Sequence, residues 1–141
     1  MKKLIVGSML MLSVVTSGGV FAGQCPAASY FFTSGQFNPG TTWTMTYNAG
    51  GLSPTPTNMA YLIGAYLANS SGFIQCSYSA TGNSVIQFFV LRTGGSNNQP
   101  VTSDNWTARS QGGAGMDYGC PPGNTRLPVN QERDPSYCAW Q

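Results

Sequence analysis

The chain has no histidine, and its only two lysines, Lys2 and Lys3, lie at the N-terminus. Serine and cysteine nucleophiles are activated mainly by histidine or lysine bases, and a Schiff base requires a lysine. Histidine is also a common zinc ligand. The sequence therefore excludes the usual nucleophilic mechanisms and histidine-ligated metals. We expect no enzyme activity, no metal and no cofactor.

Charge is also scarce, at 7% of the residues. Apart from the two lysines, the charged residues are Arg92, Arg109, Arg126 and Arg133 together with Asp104, Asp117, Glu132 and Asp134. The two signs cancel over residues 23–141. Nucleic-acid binding depends on clustered basic side chains, and attachment to anionic lipid depends on polybasic segments. The sequence predicts neither partner.

Paired carboxylates can hydrolyse glycosidic bonds without histidine. All four acidic residues, however, lie in polar stretches that are typical of loops. We interpret them as solvated side chains.

The N-terminus has the parts of a signal peptide. Lys2 and Lys3 supply positive charge, residues 4–15 are mostly apolar, and Val20 and Ala22 stand at the two positions that signal peptidase recognises. The pattern predicts cleavage after Ala22.

A membrane anchor and a lipoprotein signal are the alternatives to cleavage. A spanning helix needs about 20 apolar residues, and the segment 4–15 is shorter and interrupted by glycine and serine. Gln24 is a poor residue immediately before a lipidated cysteine, here Cys25. We therefore predict a signal peptide over residues 1–22 and one domain over residues 23–141. The domain is expected to be secreted or periplasmic in a bacterium, with no stable membrane insertion.

Four cysteines lie in the predicted exported part, and an even number in a small exported domain predicts two disulfides. Three pairings are possible. We favour Cys25 with Cys76, which lies on a predicted hairpin near the first strand, and Cys120 with Cys138, which flank a proline-rich loop. Each bridge is expected to stabilise the fold by about 3 kcal/mol. The sequence contains no Cys-x-x-Cys motif, so the cysteines do not indicate a zinc site.

A β-hairpin is the clearest structural signal. Residues 73–79 alternate in type, residues 85–91 are almost wholly apolar, and the residues between them include glycine and asparagine. This pattern is typical of two strands joined by a short turn. Three side chains of the first strand are expected to face the core: Ile74, Cys76 and Tyr78.

Other segments predict further strands. Residues 41–47 alternate, which places Trp43, Met45 and Tyr47 on an aromatic inner face. Residues 59–68 fit a helix or a strand buried on both sides. We favour the strand, because Gly64 would cost a short helix about 1 kcal/mol.

Residues 23–34 and 106–109 predict two short strands. Residues 111–119 contain too many glycines for a long element, and the tail beyond Cys120 is rich in proline and predicts irregular structure. The predicted fold is mainly β: a small antiparallel sandwich or partly open barrel of five or six strands. Two disulfides are expected to cross-link this domain, and one of them closes a C-terminal loop over residues 120–138.

One short cluster combines an aromatic ring, an acid and a forked donor: Asp104, Asn105, Trp106 and Arg109. This mixture suits recognition of a sugar or peptide from a loop. The alternative is that Trp106 fills the core and its neighbours are solvated. We keep the cluster as the candidate binding site.

Three motifs together resemble small secreted bacterial domains of uncharacterised function. These are the Cys25-Pro26 opening, the aromatic strand over residues 41–47, and Cys76-Ser77-Tyr78 on a central hairpin. The resemblance covers residues 23–94 and implies an exported β-rich domain with a bridge between Cys25 and Cys76. It implies no activity, and it does not extend to the tail from residue 95.

The sequence thus favours a secreted or periplasmic, non-catalytic binding or interaction protein with a protein or carbohydrate partner. The alternative is a structural subunit of a surface filament or envelope assembly, because apolar strands in a neutral chain can donate or accept a strand at a sheet edge.

Overall fold

The computed structural model describes residues 23–80, 87–95, 97–110, 115–122, 127 and 131–141. The predicted signal peptide over residues 1–22 and most of the hairpin turn, with Val85 and Ile86, lie outside the described residues. Within the described ranges, no helix has the length and apolar character needed to cross a membrane.

The described chain folds into eight β-strands and four short 3-10 helices. The strands are β1 (Phe32–Thr33), β2 (Gln36–Phe37), β3 (Thr44–Asn48), β4 (Tyr61–Ala68), β5 (Phe73–Ser79), β6 (Gln87–Thr93), β7 (Thr107–Ser110) and β8 (Met116–Cys120). The 3-10 helices are Ala28–Phe31, Ala49–Gly51, Ser103–Asn105 and Pro135–Cys138.

Two antiparallel sheets result. Strands β1 and β2 form a small ribbon, and the other six form one sheet in the order β3-β6-β5-β4-β8-β7. Disulfides join Cys25 to Cys76 and Cys120 to Cys138, with Cα–Cα distances of 5.7 and 5.8 Å. The predicted mainly-β antiparallel class and both predicted bridges are confirmed.

The predicted hairpin forms the centre of the large sheet. Strands β5 and β6 pair from Phe73 opposite Thr93 to Ser79 opposite Gln87. All three side chains predicted to face the core, Ile74, Cys76 and Tyr78, are fully buried.

The favoured strand within residues 59–68 is confirmed over Tyr61–Ala68. Strand β4 pairs with β5 on one side and with β8 on the other. A Cβ atom added to Gly64 would lie 2.5 Å from the carbonyl oxygen of Cys120. The glycine therefore permits a close approach of the backbone at this point, which a helix-propensity argument cannot reveal.

The predicted inner face of β3 is wrong at one position. Tyr47 is 48% exposed, whereas Met45 is half-buried and Trp43, just before the strand, is buried. Met45 pairs with Val90 and Tyr47 with Phe89, so Thr46 is an extra residue in the ladder. Because a bulge shifts the alternation by one, every side chain beyond it changes face.

Two other segments differ from the expectation. Most of the predicted strand over residues 23–34 is instead irregular chain and a 3-10 helix, and only Phe32–Thr33 pairs as a strand. The glycine-rich stretch ends in the five-residue strand β8. The predicted short strand near residue 107 is confirmed as β7. The described part of the tail beyond Cys120 is irregular apart from its 3-10 helix and the isolated bridges of Trp140.

The core lies on one side of the large sheet, which we call the inner face. An N-terminal segment covers it: the Phe31 ring packs edge-on against Tyr78, with 5.3 Å between centroids, and against Trp43 at 6.2 Å. The Tyr78 hydroxyl donates to the carbonyl of Pro26 at 2.8 Å. The C-terminal Trp140, which is 1% exposed, completes this layer.

The tail is fixed to the part of β4 that β8 does not reach. A Glu132 carboxylate oxygen accepts from the backbone N–H of Ala28 at 2.7 Å and of Leu62 at 3.0 Å. The Arg133 backbone N–H donates to the Leu62 carbonyl, and Arg133 Nε donates to the Ile63 carbonyl. These bonds satisfy backbone groups that the sheet ladder leaves unpaired.

Candidate functional site

The structure places the four predicted binding residues in different environments. Trp106 is 7% exposed and belongs to the core, and its Nε1 is buried with no hydrogen-bond partner among the described residues. Asn105 donates from Nδ2 to the Tyr137 carbonyl at 2.8 Å. Only Asp104 and Arg109 are exposed. The Trp106 ring is therefore not presented to a ligand, and binding by Asp104 and Arg109 stays a prediction.

No tryptophan presents an exposed ring, since Trp43 and Trp140 are as deeply buried as Trp106. The aromatic side chains that reach solvent are tyrosines and phenylalanines. The most exposed of them are Tyr30 at 59%, Tyr47 at 48% and Phe73 at 43%. Two of these three, Tyr47 and Phe73, lie on the same side of the large sheet.

That side, which we call the outer face, is assembled by the strand register. In one row Tyr47 lies beside Phe89, which lies beside Ser77. In the next row Thr44, Leu91, Gln75 and Tyr66 follow one another across four strands. With Phe73, these rows place eight side chains on the central part of the outer face: Thr44, Tyr47, Tyr66, Phe73, Gln75, Ser77, Phe89 and Leu91. Each is exposed or half-buried.

Aromatic rings and small polar groups alternate on this surface. The rings of Tyr47 and Phe89 lie 5.1 Å apart, tilted by 30°. Gln75 and Ser77 place an amide and a hydroxyl between Phe89 and Tyr66, as the strand order requires. The polar groups can donate and accept hydrogen bonds, whereas the rings offer flat apolar area.

The central part of the outer face carries no charge. Strands β3, β4, β5 and β6 contain a single charged residue, Arg92. Arg92 pairs with Ile74, so its side chain lies on the inner face. A partner that binds over these four strands is therefore recognised by shape, ring contact and hydrogen bonds.

Only part of this surface could be predicted from the sequence. The alternation in β5 indicated that Gln75 and Ser77 face outwards. Phe89 and Leu91 lie in an apolar run that is equally consistent with burial on both sides, and the bulge concealed Tyr47. The available signal was the predicted pairing of an apolar strand, β6, with a strand whose outward residues are polar, β5.

A buried carboxylate lies where the outer face meets β8. Asp117 is 2% exposed and accepts hydrogen bonds from the Ser70 backbone N–H at 2.9 Å, the Ser70 hydroxyl at 3.0 Å and the Tyr66 hydroxyl at 2.9 Å. Burial alone would raise the pKa of Asp117, but these bonds outweigh it and hold the pKa below its ordinary value. The carboxylate thus fixes Tyr66 and the turn after β4.

Replacing Asp117 by Asn is expected to destabilise the protein by about 2 kcal/mol at pH 7, because an amide cannot accept all three bonds. A carboxyl whose pKa is lower in the folded state stabilises above its unfolded pKa of about 3.9 and loses that effect as the pH falls through the folded value. Urea unfolding from about pH 7 to pH 2 should show the gap between wild type and D117N narrowing below about pH 5. Asp104→Asn, at an exposed site, is the control. A gap that is constant with pH would contradict the assignment.

Within the part of the chain that the structure describes, no group of three or more histidine, cysteine, aspartate or glutamate side chains could hold a metal ion. Comparison with protein-family models, with curated proteins and with solved structures finds no match for the chain. The resemblance to small secreted bacterial domains accordingly stays a prediction, and function has to be argued from the outer face itself.

Proposed function

We propose that the chain is an exported, non-catalytic binding protein that holds an uncharged carbohydrate on the outer face of its sheet. The observation that carries the proposal is an open sheet surface over β3, β4, β5 and β6 that carries no charge, on which aromatic rings alternate with amide and hydroxyl groups. A protein or a second copy of the chain would be the competing kind of partner.

Carbohydrate fits this surface for chemical reasons. A sugar ring presents a flat patch of C–H groups that packs on an aromatic ring, while its hydroxyl groups both donate and accept hydrogen bonds. The outer face offers Tyr47 and Phe89 as a ring pair, and Gln75 and Ser77 as hydrogen-bonding groups in adjacent rows. The four central strands carry no charge on this face and so provide no electrostatic attraction for acidic or basic partners. The exposed Arg109 lies beyond them, at the β7 end of the face.

Three of the four acids already have structural partners, which supports the absence of catalysis. Asp117 accepts three hydrogen bonds, and Glu132 accepts two from backbone N–H groups. Asp134 accepts from the backbone N–H and hydroxyl of Ser136 at the start of the last 3-10 helix. These carboxylates are engaged in holding the fold.

Export is supported by the two disulfides, which persist in oxidising compartments outside the cytosol. The predicted signal peptide over residues 1–22 is consistent with the same destination. Secretion into the medium and retention in the periplasm are both compatible with this proposal.

The test begins with binding of the purified protein to a panel of insoluble neutral polysaccharides. For each polysaccharide that binds, the protein is then titrated with the corresponding soluble oligosaccharide. Tyr47→Ala removes an exposed ring and is expected to weaken binding by about five- to thirtyfold, which corresponds to about 1–2 kcal/mol.

Tyr30→Ala is the matched control, because Tyr30 is also an exposed tyrosine but lies in the N-terminal 3-10 helix. It should bind as wild type does. Absence of binding to every neutral polysaccharide, or an equal loss in both variants, would count against the proposal.

A filament or envelope subunit is the second candidate, and it is favoured by the two edges that the sheet has among the described strands. Strands β3 and β7 are the two outermost strands, and exposed side chains such as Thr44, Thr46, Thr107 and Arg109 line them. Edge strands present unpaired backbone groups that can accept another strand. Size-exclusion chromatography and electron microscopy separate the candidates. A protein that stays monomeric at all concentrations would exclude the filament or envelope subunit.

A further inference from the structure

Arg92 lies in an unusual position on the inner face. Its guanidinium carbon is 5.3 Å from the centroid of the Trp43 ring and 5.3 Å from the centroid of the Trp140 ring. Both rings are buried, at 5% and 1% exposure, whereas Arg92 is only half-buried. The cation is therefore held between two tryptophans, and part of its side chain reaches solvent.

The guanidinium has no anionic partner among the described residues. Its Nε is buried and has no hydrogen-bond partner among the described residues. Burial lowers the pKa of Arg92 from its ordinary value, yet an arginine remains charged at physiological pH. A fixed positive charge is thus left uncompensated beside the solvent.

Holding an arginine in this way prepares it for an anion. Cation–π contact with two rings offsets part of the cost of desolvation and limits the rotamers that the side chain can adopt. A guanidinium that is already ordered loses little entropy on binding. Its two terminal nitrogens form a planar fork that matches the two oxygens of a carboxylate.

We propose that Arg92, held between Trp43 and Trp140, binds the carboxylate of a small anionic ligand through Nη1 and Nη2. This site lies on the opposite side of the sheet from the surface proposed for carbohydrate and does not depend on it. An acidic sugar and a small organic acid share the required group, so the probes below include both sources.

The test is NMR of the uniformly ¹⁵N-labelled protein, observing the Arg92 Nε–H and the indole N–H of Trp43 and Trp140. Sodium acetate, sodium glucuronate and sodium sulfate are titrated separately against sodium chloride at equal ionic strength, and glucose is the neutral counterpart of glucuronate. Saturable shifts with acetate or glucuronate, but not with chloride or glucose, are expected. A response to sulfate alone, or no saturable shift, would overturn the assignment.

Variants at Arg92 separate charge from geometry. Arg92→Met keeps an unbranched side chain between the rings and should abolish the saturable response. Arg92→Lys keeps the charge and the cation–π contact but loses the fork, so binding should weaken by about tenfold or more.

Arg109→Met is the matched control, because Arg109 is an exposed arginine on β7, and it should respond as wild type does. An unchanged affinity in Arg92→Lys, or an equal loss in Arg109→Met, would refute a role for the fork. If Arg92→Met fails to fold, the Lys variant and the wild-type titrations still decide the question.

Discussion

Reduction of both disulfides is expected to unfold the protein at 25 °C. The bridges close loops of 51 and 18 residues, for which the loss of chain entropy in the unfolded state corresponds to about 4 and about 3 kcal/mol. A domain of this size has a total stability of about 5–15 kcal/mol. Together the bridges therefore account for about half of that stability or more.

The two bridges are expected to contribute unequally. The pair Cys25–Cys76 closes the longer loop and fastens the N-terminal segment over the centre of the sheet, whereas Cys120–Cys138 fastens the tail to β8. Urea unfolding of the double variants C25A/C76A and C120A/C138A should show the larger loss in the first. Near-UV circular dichroism, recorded with and without reductant, measures the loss of tertiary structure when both bridges are reduced. A reduced protein with an unchanged urea midpoint would contradict this account.

Replacing Trp140 by Ala is expected to destabilise the protein by about 3–5 kcal/mol, because it empties a large buried site. Trp140 is 1% exposed, and its backbone exchanges two hydrogen bonds with Gly23, at 3.1 and 3.0 Å. Its ring also covers Arg92. Loss of the ring therefore loosens the packing of the C-terminal residues on the N-terminal segment and exposes a cation.

Gly23→Ala tests the same contact from the other side. A Cβ atom at Gly23 would lie 2.5 Å from the Trp140 ring, so the indole or the backbone must move, at a cost of about 1–3 kcal/mol. Tyr30→Ala, at an exposed ring, should change the free energy of unfolding by less than about 0.5 kcal/mol. Thermal and urea unfolding measure all three. A loss below about 1 kcal/mol in Trp140→Ala would show that the tail is not part of the core.

Local patterns in the sequence were sufficient for the centre of the fold. The hairpin was predictable because alternation in β5 and the turn residues after it point to the same structure, and Cys76 on its buried side made a bridge to Cys25 plausible. The strand over residues 59–68 followed from the cost of Gly64 in a helix.

Segments that depend on distant partners could not be predicted in this way. The 3-10 helix Ala28–Phe31 begins with a backbone N–H bonded to Glu132, which is 104 residues away in the chain. The bulge at Thr46 leaves no trace in the alternation of β3, so the outward position of Tyr47 was missed. Both features are decided by tertiary contacts and by register.

The candidate sites show the same division. The predicted cluster at Asp104 consists of residues that are neighbours in sequence, and its aromatic member, Trp106, is buried in the structure. The outer face joins residues from four strands. The Arg92 site joins Arg92 from β6, Trp43 from just before β3, and Trp140 from the C-terminal tail. Only the sheet topology brings such residues together.

The measurement that tests the central claim most directly is an NMR map of backbone amide shifts on titration with a bound neutral oligosaccharide. We expect the largest shifts on the outer face, at Tyr47, Gln75, Ser77 and Phe89, while the amide of Asp104 remains unchanged. Shifts confined to the loop around Asp104, or to the inner face, would contradict the claim that the outer face is the binding surface.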